Sequence, residues 1–161
     1  QQESYRLWQH LSDAGFFKGP FTGINGTGGI RHGVVGTNIP KGSKLTRVGY
    51  QLMNFDGELA AGGTGQDTKW FQQPYYNILF IGMQETETGC REPNGGFMSA
   101  AEAREFDTKI DDGKPAMGKL VAFTPILQPN CADSSVVAAT TNYTTSTNAT
   151  ACSFLYQSNW W

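Results

Sequence analysis

The chain has 161 residues, enough for one domain with a real core, and a net charge of −2. That balance gives no basic field to hold nucleic acid or an anionic membrane surface. Charged residues make up 16%, below the roughly 25% usual for soluble proteins, while Gly reaches 20 and Ser, Thr and Asn crowd the last third, a composition that points to a loop-rich, β-containing extracytoplasmic protein.

The segment SYRLWQHLSDA (4–14) predicts a helix, because Leu7, Leu11 and Ala14 recur at i, i+4, i+7 with Trp8 beside them. Gly15 is placed to end it in the left-handed conformation, with Phe16 and Phe17 folding back onto the last turn. The helical pattern starts almost at the first residue, so an upstream continuation is expected. His10 lies on this helix and reads as a surface or packing residue. From Gly19 to Lys44 the chain holds eight Gly and two Pro, which predicts a tight-turning surface loop. A G-x-G-x-x-G nucleotide fingerprint fails there, since Gly26 and Gly28 are followed by Arg31. His32 reads as part of a solvated loop.

Strands are predicted at KLTRVGYQLMNF (44–55) and at YYNILFIGMQE (75–85), the latter apolar enough for a central position. A connection with a turn at Gly62-Gly63 joins them. GKLVAFTPI (118–126) predicts a third strand stopped by Pro125, and ACSFLYQ (151–157) a fourth. A short edge strand is expected at Ser135–Ala139.

A second helix is predicted from Ser99 to Asp112. Ser99 and Glu102 form the capping box S-x-x-E, and Ala103, Phe106 and Ile110 share one face. Gly113 can adopt a positive φ and close the helix, and Pro115 prevents it restarting. Asp107 and Asp111 fall at i, i+4 on one helix edge, with Asp112 beside the closing glycine. Carboxylates near a helix C-terminus oppose the dipole, so Lys109, Lys114 or a turn N–H is expected to compensate. The Asp111–Asp112 pair leaves room for an irregular calcium site. An EF-hand is excluded: with Gly113 in the sixth position, Thr108 and Ile110 would occupy the first and third.

Three cysteines, Cys90, Cys131 and Cys152, allow one disulfide and one leftover thiol in an oxidising compartment. No two of them are close in sequence and only His10 and His32 exist, so a zinc site is not formed. Two histidines and a turn cysteine assemble no nucleophile set, and no enzyme activity is expected. Trp160-Trp161 reads as packed or interfacial rather than as a sugar platform.

FMSAAEAREFDTKIDDGKPAMGKLVAF resembles a segment of the prepilin-type proteins, the type IV pilins and secretion pseudopilins. YRLWQHLSDAGFFKGPFTG resembles the end of that family's leading helix, and PYYNILFIGMQE and YTTSTNATACSFLYQ are looser matches. The resemblance implies an α+β, pilin-like fold by analogy: an N-terminal helix packed on an antiparallel sheet of about four strands, with a short second helix near 99–112. It implies one head domain over 1–161, whose leading helix, about 3–14, continues upstream as an apolar membrane anchor. It also implies a disulfide between Cys131 and Cys152, worth about 3 kcal/mol in the chain-entropy model. Cys90–Cys131 is the rival pairing.

The expected function is that of a structural subunit of a pilus-like or pseudopilus filament, acting by polymerisation. Its partners are other pilin or pseudopilin subunits, and the membrane through the upstream helix; no cofactor and no nucleic acid are expected. The expected location is an inner-membrane-anchored precursor, then a periplasmic or cell-surface filament. The alternative is a secreted carbohydrate- or surface-binding module with Trp70, Phe71, Tyr75 and Tyr76 as a stacking face, although these aromatics read more simply as core and strand-edge residues.

Overall fold

A computed structural model describes residues 3–29, 31–59, 69–84 and 92–158. Cys90, the Gly62-Gly63 turn and Trp160-Trp161 lie outside the described residues. The elements follow in the order α1 (Glu3–Asp13), β1 (Val48–Leu59), β2 (Pro74–Met83), β3 (Met98–Ser99), α2 (Ala100–Ile110), β4 (Leu120–Ala122), β5 (Thr150–Cys152) and β6 (Phe154–Ser158). A four-stranded antiparallel sheet has the order β1-β2-β6-β4, and β3 pairs with β5 in a second, two-stranded sheet. The protein is therefore α+β, as expected. Neither helix among the described residues is long and apolar enough to cross a membrane.

The residues group into two compact units, Gln1–Met53 with Phe80–Gly95, and Asn54–Leu79 with Gly96–Trp161. In the first unit α1 ends as predicted: Gly15 takes φ +79° and the N–H groups of Phe16 and Phe17 donate to the Leu11 carbonyl. Phe17 packs edge-on against Trp8 at 5.3 Å, but Phe16 is 77% exposed and does not fold back. The buried residues of α1 meet the predicted stripe at Trp8 and add Tyr5. Tyr5 and Trp8 are buried, Leu7 and Leu11 are half-buried, and Ala14 is exposed. The Tyr5 hydroxyl accepts a hydrogen bond from Gln51 Nε2 of β1 at 3.1 Å. Burial pushes the Tyr5 phenol well above its ordinary pKa.

The Gly-rich segment 19–44 was expected at the surface, yet Phe21, Asn38 and Ile39 are buried. Asn38 explains how a stretch with so little regular structure can do this. Its Oδ1 accepts from Val34 N at 2.6 Å, and its Nδ2 donates to the carbonyls of Ile24 and His32 at 2.9 and 3.0 Å. One side chain thus satisfies three backbone groups that regular structure would otherwise pair. His32 accepts the Gly28 N–H at Nδ1, so it braces the loop rather than standing free in solvent.

In the second unit an aromatic cluster centres on Trp70, with Phe55, Tyr75 and Phe123 edge-on at 5.1, 5.6 and 6.5 Å. Edge-to-face pairs of this kind add stability beyond the area they bury. Trp70, Phe71 and Tyr75 are buried, leaving only Tyr76 exposed, so a four-aromatic stacking face does not exist. β4 lies antiparallel to β6 with Leu120 opposite Tyr156 and Ala122 opposite Phe154, and all three β4 residues are buried. It is shorter than the predicted 118–126, and β1 begins at Val48 rather than at Lys44. Residues 135–139 form no strand.

The single predicted strand 151–157 is two strands, β5 and β6, in two sheets. The break falls at Ser153, which is buried between them. Its N–H donates to Gln128 Oε1 at 3.1 Å and its hydroxyl accepts from Gln128 Nε2. The backbone at this point bonds to a side chain instead of a ladder, and the chain changes sheet there.

Candidate functional site

The capping box predicted for the second helix is present. Glu102 N–H donates to Ser99 Oγ at 3.4 Å, and Ser99 N–H donates to Glu102 Oε2 at 2.8 Å. The Ser99 N–H and hydroxyl hold the Glu102 carboxyl below its ordinary pKa. The buried stripe of α2 is Ala100, Ala103 and Asp107, at i, i+3, i+7. Phe106 and Ile110, predicted on one face with Ala103, are partly exposed, although Phe106 still reaches the Phe154 ring at 5.8 Å.

Asp107 is the unexpected member. The sequence places it with Asp111 on one helix edge, and it is 0% exposed. Its Oδ2 accepts the Tyr143 hydroxyl at 2.8 Å, while its Oδ1 is buried with no hydrogen-bond partner. Burial raises its carboxyl pKa to about 6; the Tyr143 hydroxyl and the Gly113 backbone N–H oppose that shift, and the charges of Asp112 and Asp111 add to it. Burial and the Asp107 charge likewise push the Tyr143 phenol well upward.

The helix ends in a turn organised by the two following aspartates. Asp111 Oδ2 accepts the N–H groups of Lys119 and Leu120, which ties the end of α2 to the start of β4. Asp112 Oδ1 accepts the Lys114 N–H at 2.8 Å. The backbone N–H groups of the turn, not the lysines, therefore answer the charge near the helix C-terminus. Gly113 has φ +72° and Gly118 φ +76°, conformations that side chains other than glycine's rarely tolerate. At Gly118 a Cβ would also collide with Asp111 Oδ2.

One oxygen from each of Asp107, Asp111 and Asp112 lies within 4.8 Å of the other two. Among the described residues no salt bridge reaches any of the three, and Lys114 Nζ points instead to Asn142 Oδ1 at 2.8 Å. The sequence brought Asp111 and Asp112 together by adjacency. Asp107 was missed as their third partner. Its signal was the spacing from Ala100 and Ala103, which continues a small-residue stripe into a carboxylate.

Tyr143 belongs to the segment closed by the Cys131–Cys152 disulfide, the pairing the resemblance implied. Its Cα atoms are 5.1 Å apart. Inside the loop, Thr144 N–H donates to the Cys131 carbonyl at 2.9 Å, and Asn142 N–H donates to Asp133 Oδ1 at 2.9 Å. Lys114–Asn142 and Asp107–Tyr143 then fasten this polar segment to α2 and its turn. The disulfide and these two side-chain bonds hold a stretch that has little apolar area to bury.

Chemically the cluster offers three hard carboxylate oxygens and no nucleophile. A groove of about 510 Å³ beside α2, lined by Ala101, Arg104, Glu105, Thr108, Lys109 and Thr145, contains none of the three carboxylates. His10 is exposed on α1 and belongs to no such cluster. In comparisons with known proteins, the chain matches no family model, no curated sequence and no solved structure.

Proposed function

We propose that the chain is the globular head of a filament subunit of the pilin or pseudopilin kind, working by polymerisation with other such subunits. The observation that supports the reading best is the unit formed by α2, its turn and β4. A Ser99-capped helix, an Asp111-Asp112-Gly113 turn and the strand at Leu120–Ala122 follow one another in the order the resemblance implies. The Cys131–Cys152 pairing fits the same reading.

The surfaces proposed for head-to-head contact are the Gly-rich segment 19–44 and the disulfide-closed segment 131–152. Each exposes an apolar side chain, Ile24 at 57% and Val136 at 63%. Loops carried on a rigid sheet are where contacts of this type concentrate. The upstream apolar helix would supply the filament core and, before assembly, the membrane anchor.

Immunogold electron microscopy of sheared surface material tests the reading, together with the native gene sequence upstream of Gln1. The expected result is label along filaments, an apolar helical segment encoded upstream, and intersubunit cross-links from Ile24→Cys or Val136→Cys in assembled material. Unlabelled filaments, together with a gene that encodes no such segment, would overturn it.

A further inference from the structure

We propose that Asn148 is a glycosylation acceptor, carrying an N-linked oligosaccharide on the disulfide-closed segment. The acceptor pattern Asn-x-Ser/Thr, with no proline between, occurs at Asn25-Gly26-Thr27, Asn142-Tyr143-Thr144 and Asn148-Ala149-Thr150. The pattern alone does not choose among them, and short matches arise easily in a Thr- and Asn-rich chain. The structure separates the three.

Asn142 is spent on the fold. Its Nδ2 donates to the Thr140 carbonyl at 2.7 Å and to Asp133 Oδ2 at 3.4 Å, and its Oδ1 accepts from Lys114 Nζ at 2.8 Å. The middle residue of that tripeptide, Tyr143, is buried against Asp107. Asn25 is half-buried and its Nδ2 donates to the Gly26 carbonyl at 3.0 Å, while the Gly26 N–H is held by the His32 carbonyl. Asn148 differs from both. Asn148, Ala149 and Thr150 are all exposed. Among the described residues no hydrogen bond, ion pair or ring contact engages the Asn148 side chain, and no backbone hydrogen bond holds residues 147–149.

The chemistry needs that freedom. A carboxamide nitrogen is a weak nucleophile, because its lone pair is delocalised into the carbonyl. A transferase must therefore take the whole side chain into its own site, with the hydroxyl two residues on as the feature it reads. The amide nitrogen attacks the anomeric carbon of a lipid-pyrophosphate-linked oligosaccharide. The bond from that carbon to the pyrophosphate oxygen breaks, the N-glycosidic bond forms, the nitrogen gives up one proton and the lipid pyrophosphate leaves. A stretch without backbone bonds can be lifted into such a site at little cost. The compartment also fits. Cys152, in the same strand as Thr150, is bridged to Cys131, and disulfides belong to the secretory and periplasmic spaces where sugars are attached to asparagine. The product is a bulky, hydrated cover over a polar loop that has little core of its own.

The inference does not depend on the filament reading. Protein isolated from its native source is reduced, alkylated, cut with chymotrypsin and mapped by mass spectrometry. Cleavage after Tyr143 and Phe154 separates Asn148 from Asn142. The expected result is a peptide 144–154 that carries the added mass of several sugar residues, placed on Asn148 by fragmentation. In the native host Asn148→Gln and Thr150→Ala lose that mass completely, while Thr150→Ser, which keeps the hydroxyl, keeps it. Both side chains are exposed and unbonded, so the variants should fold; the map of the parent decides even where a variant fails to accumulate. An unmodified Asn148 in the native protein overturns the site. So does a sugar that survives Asn148→Gln, or one that fragmentation places on Thr145, Ser146 or Thr147.

Discussion

The Tyr143 hydroxyl donates a 2.8 Å hydrogen bond to Asp107 Oδ2, and both side chains are buried. The contact spans 36 positions and anchors the disulfide-closed segment to α2. Replacing Tyr143 by Phe keeps the ring and removes only the donor. The carboxylate then loses its one side-chain partner, and the protein should lose about 1–3 kcal/mol of stability. Urea unfolding checks this as a lower midpoint at unchanged m-value. An unchanged midpoint would show that the bond contributes nothing net.

Ser99→Ala removes both the N-cap acceptor of α2 and one donor to Glu102, and should cost about 1 kcal/mol. The pH dependence has a definite sign. Ser99 depresses the folded-state pKa of Glu102, so the stabilisation is present above the ordinary glutamate range and is lost as pH falls through the depressed value. Unfolding midpoints of parent and Ser99→Ala should therefore draw closer toward acid pH without meeting, because the lost N-cap acceptor does not titrate and the backbone N–H at position 99, the larger cause of the depression, remains. A constant gap across that range would assign the cap's effect to the hydroxyl alone.

Gly118→Ala forces a Cβ onto Asp111 Oδ2 and a side chain into the left-handed region. The backbone term alone is about 1–2 kcal/mol. Displacement of Asp111 would add the loss of its bonds to the Lys119 and Leu120 amides. Amide hydrogen exchange should quicken at those two positions first, ahead of the aromatic cluster around Trp70.

Asn38→Ala strips three backbone groups, on Ile24, His32 and Val34, of their partner in a half-buried segment. At about 1 kcal/mol for each bond lost, the expected destabilisation is about 3 kcal/mol. Asn38→Asp keeps the acceptor but turns a carboxylate oxygen toward the Ile24 and His32 carbonyls in a buried site, so at neutral pH it should destabilise at least as much as Asn38→Ala. If Asn38→Ala unfolds at the parent's urea concentration, water has replaced the side chain and the loop is not held as described.

The most readable features were those whose determinants lie within a few residues. The capping box of α2 needs only Ser99 and Glu102, and the left-handed positions at Gly15 and Gly113 need only a residue without a Cβ. The strand predicted at 75–85 was visible from its apolar run, and β2, Pro74–Met83, is an inner strand of the sheet. The Cys131–Cys152 bridge came through resemblance rather than from spacing, which also allowed Cys90.

The features misread were those settled by a distant side chain. The pattern of Leu7, Leu11 and Ala14 is a sound helical stripe, but the buried residues are Trp8 and Tyr5, whose hydroxyl meets Gln51 from 46 positions away. The apolar run 151–157 reads as one strand, but Gln128, 25 positions away, takes the Ser153 backbone and splits it. Glycine content suggested a surface loop, but Asn38 pairs enough backbone to let Ile39 be buried.

By itself the sequence determined the helices, their caps, the turn glycines and the adjacency of Asp111 and Asp112, because hydrogen bonds within one turn and the sterics of a missing Cβ act on neighbours. Only the tertiary structure decided that Asp107 is buried, that its second oxygen is left without a donor, and that three carboxylates converge. Burial depends on what the rest of the chain lays over a residue. Here that cover comes from Tyr143, held in place by a disulfide whose sulfurs the chain brings together only on folding.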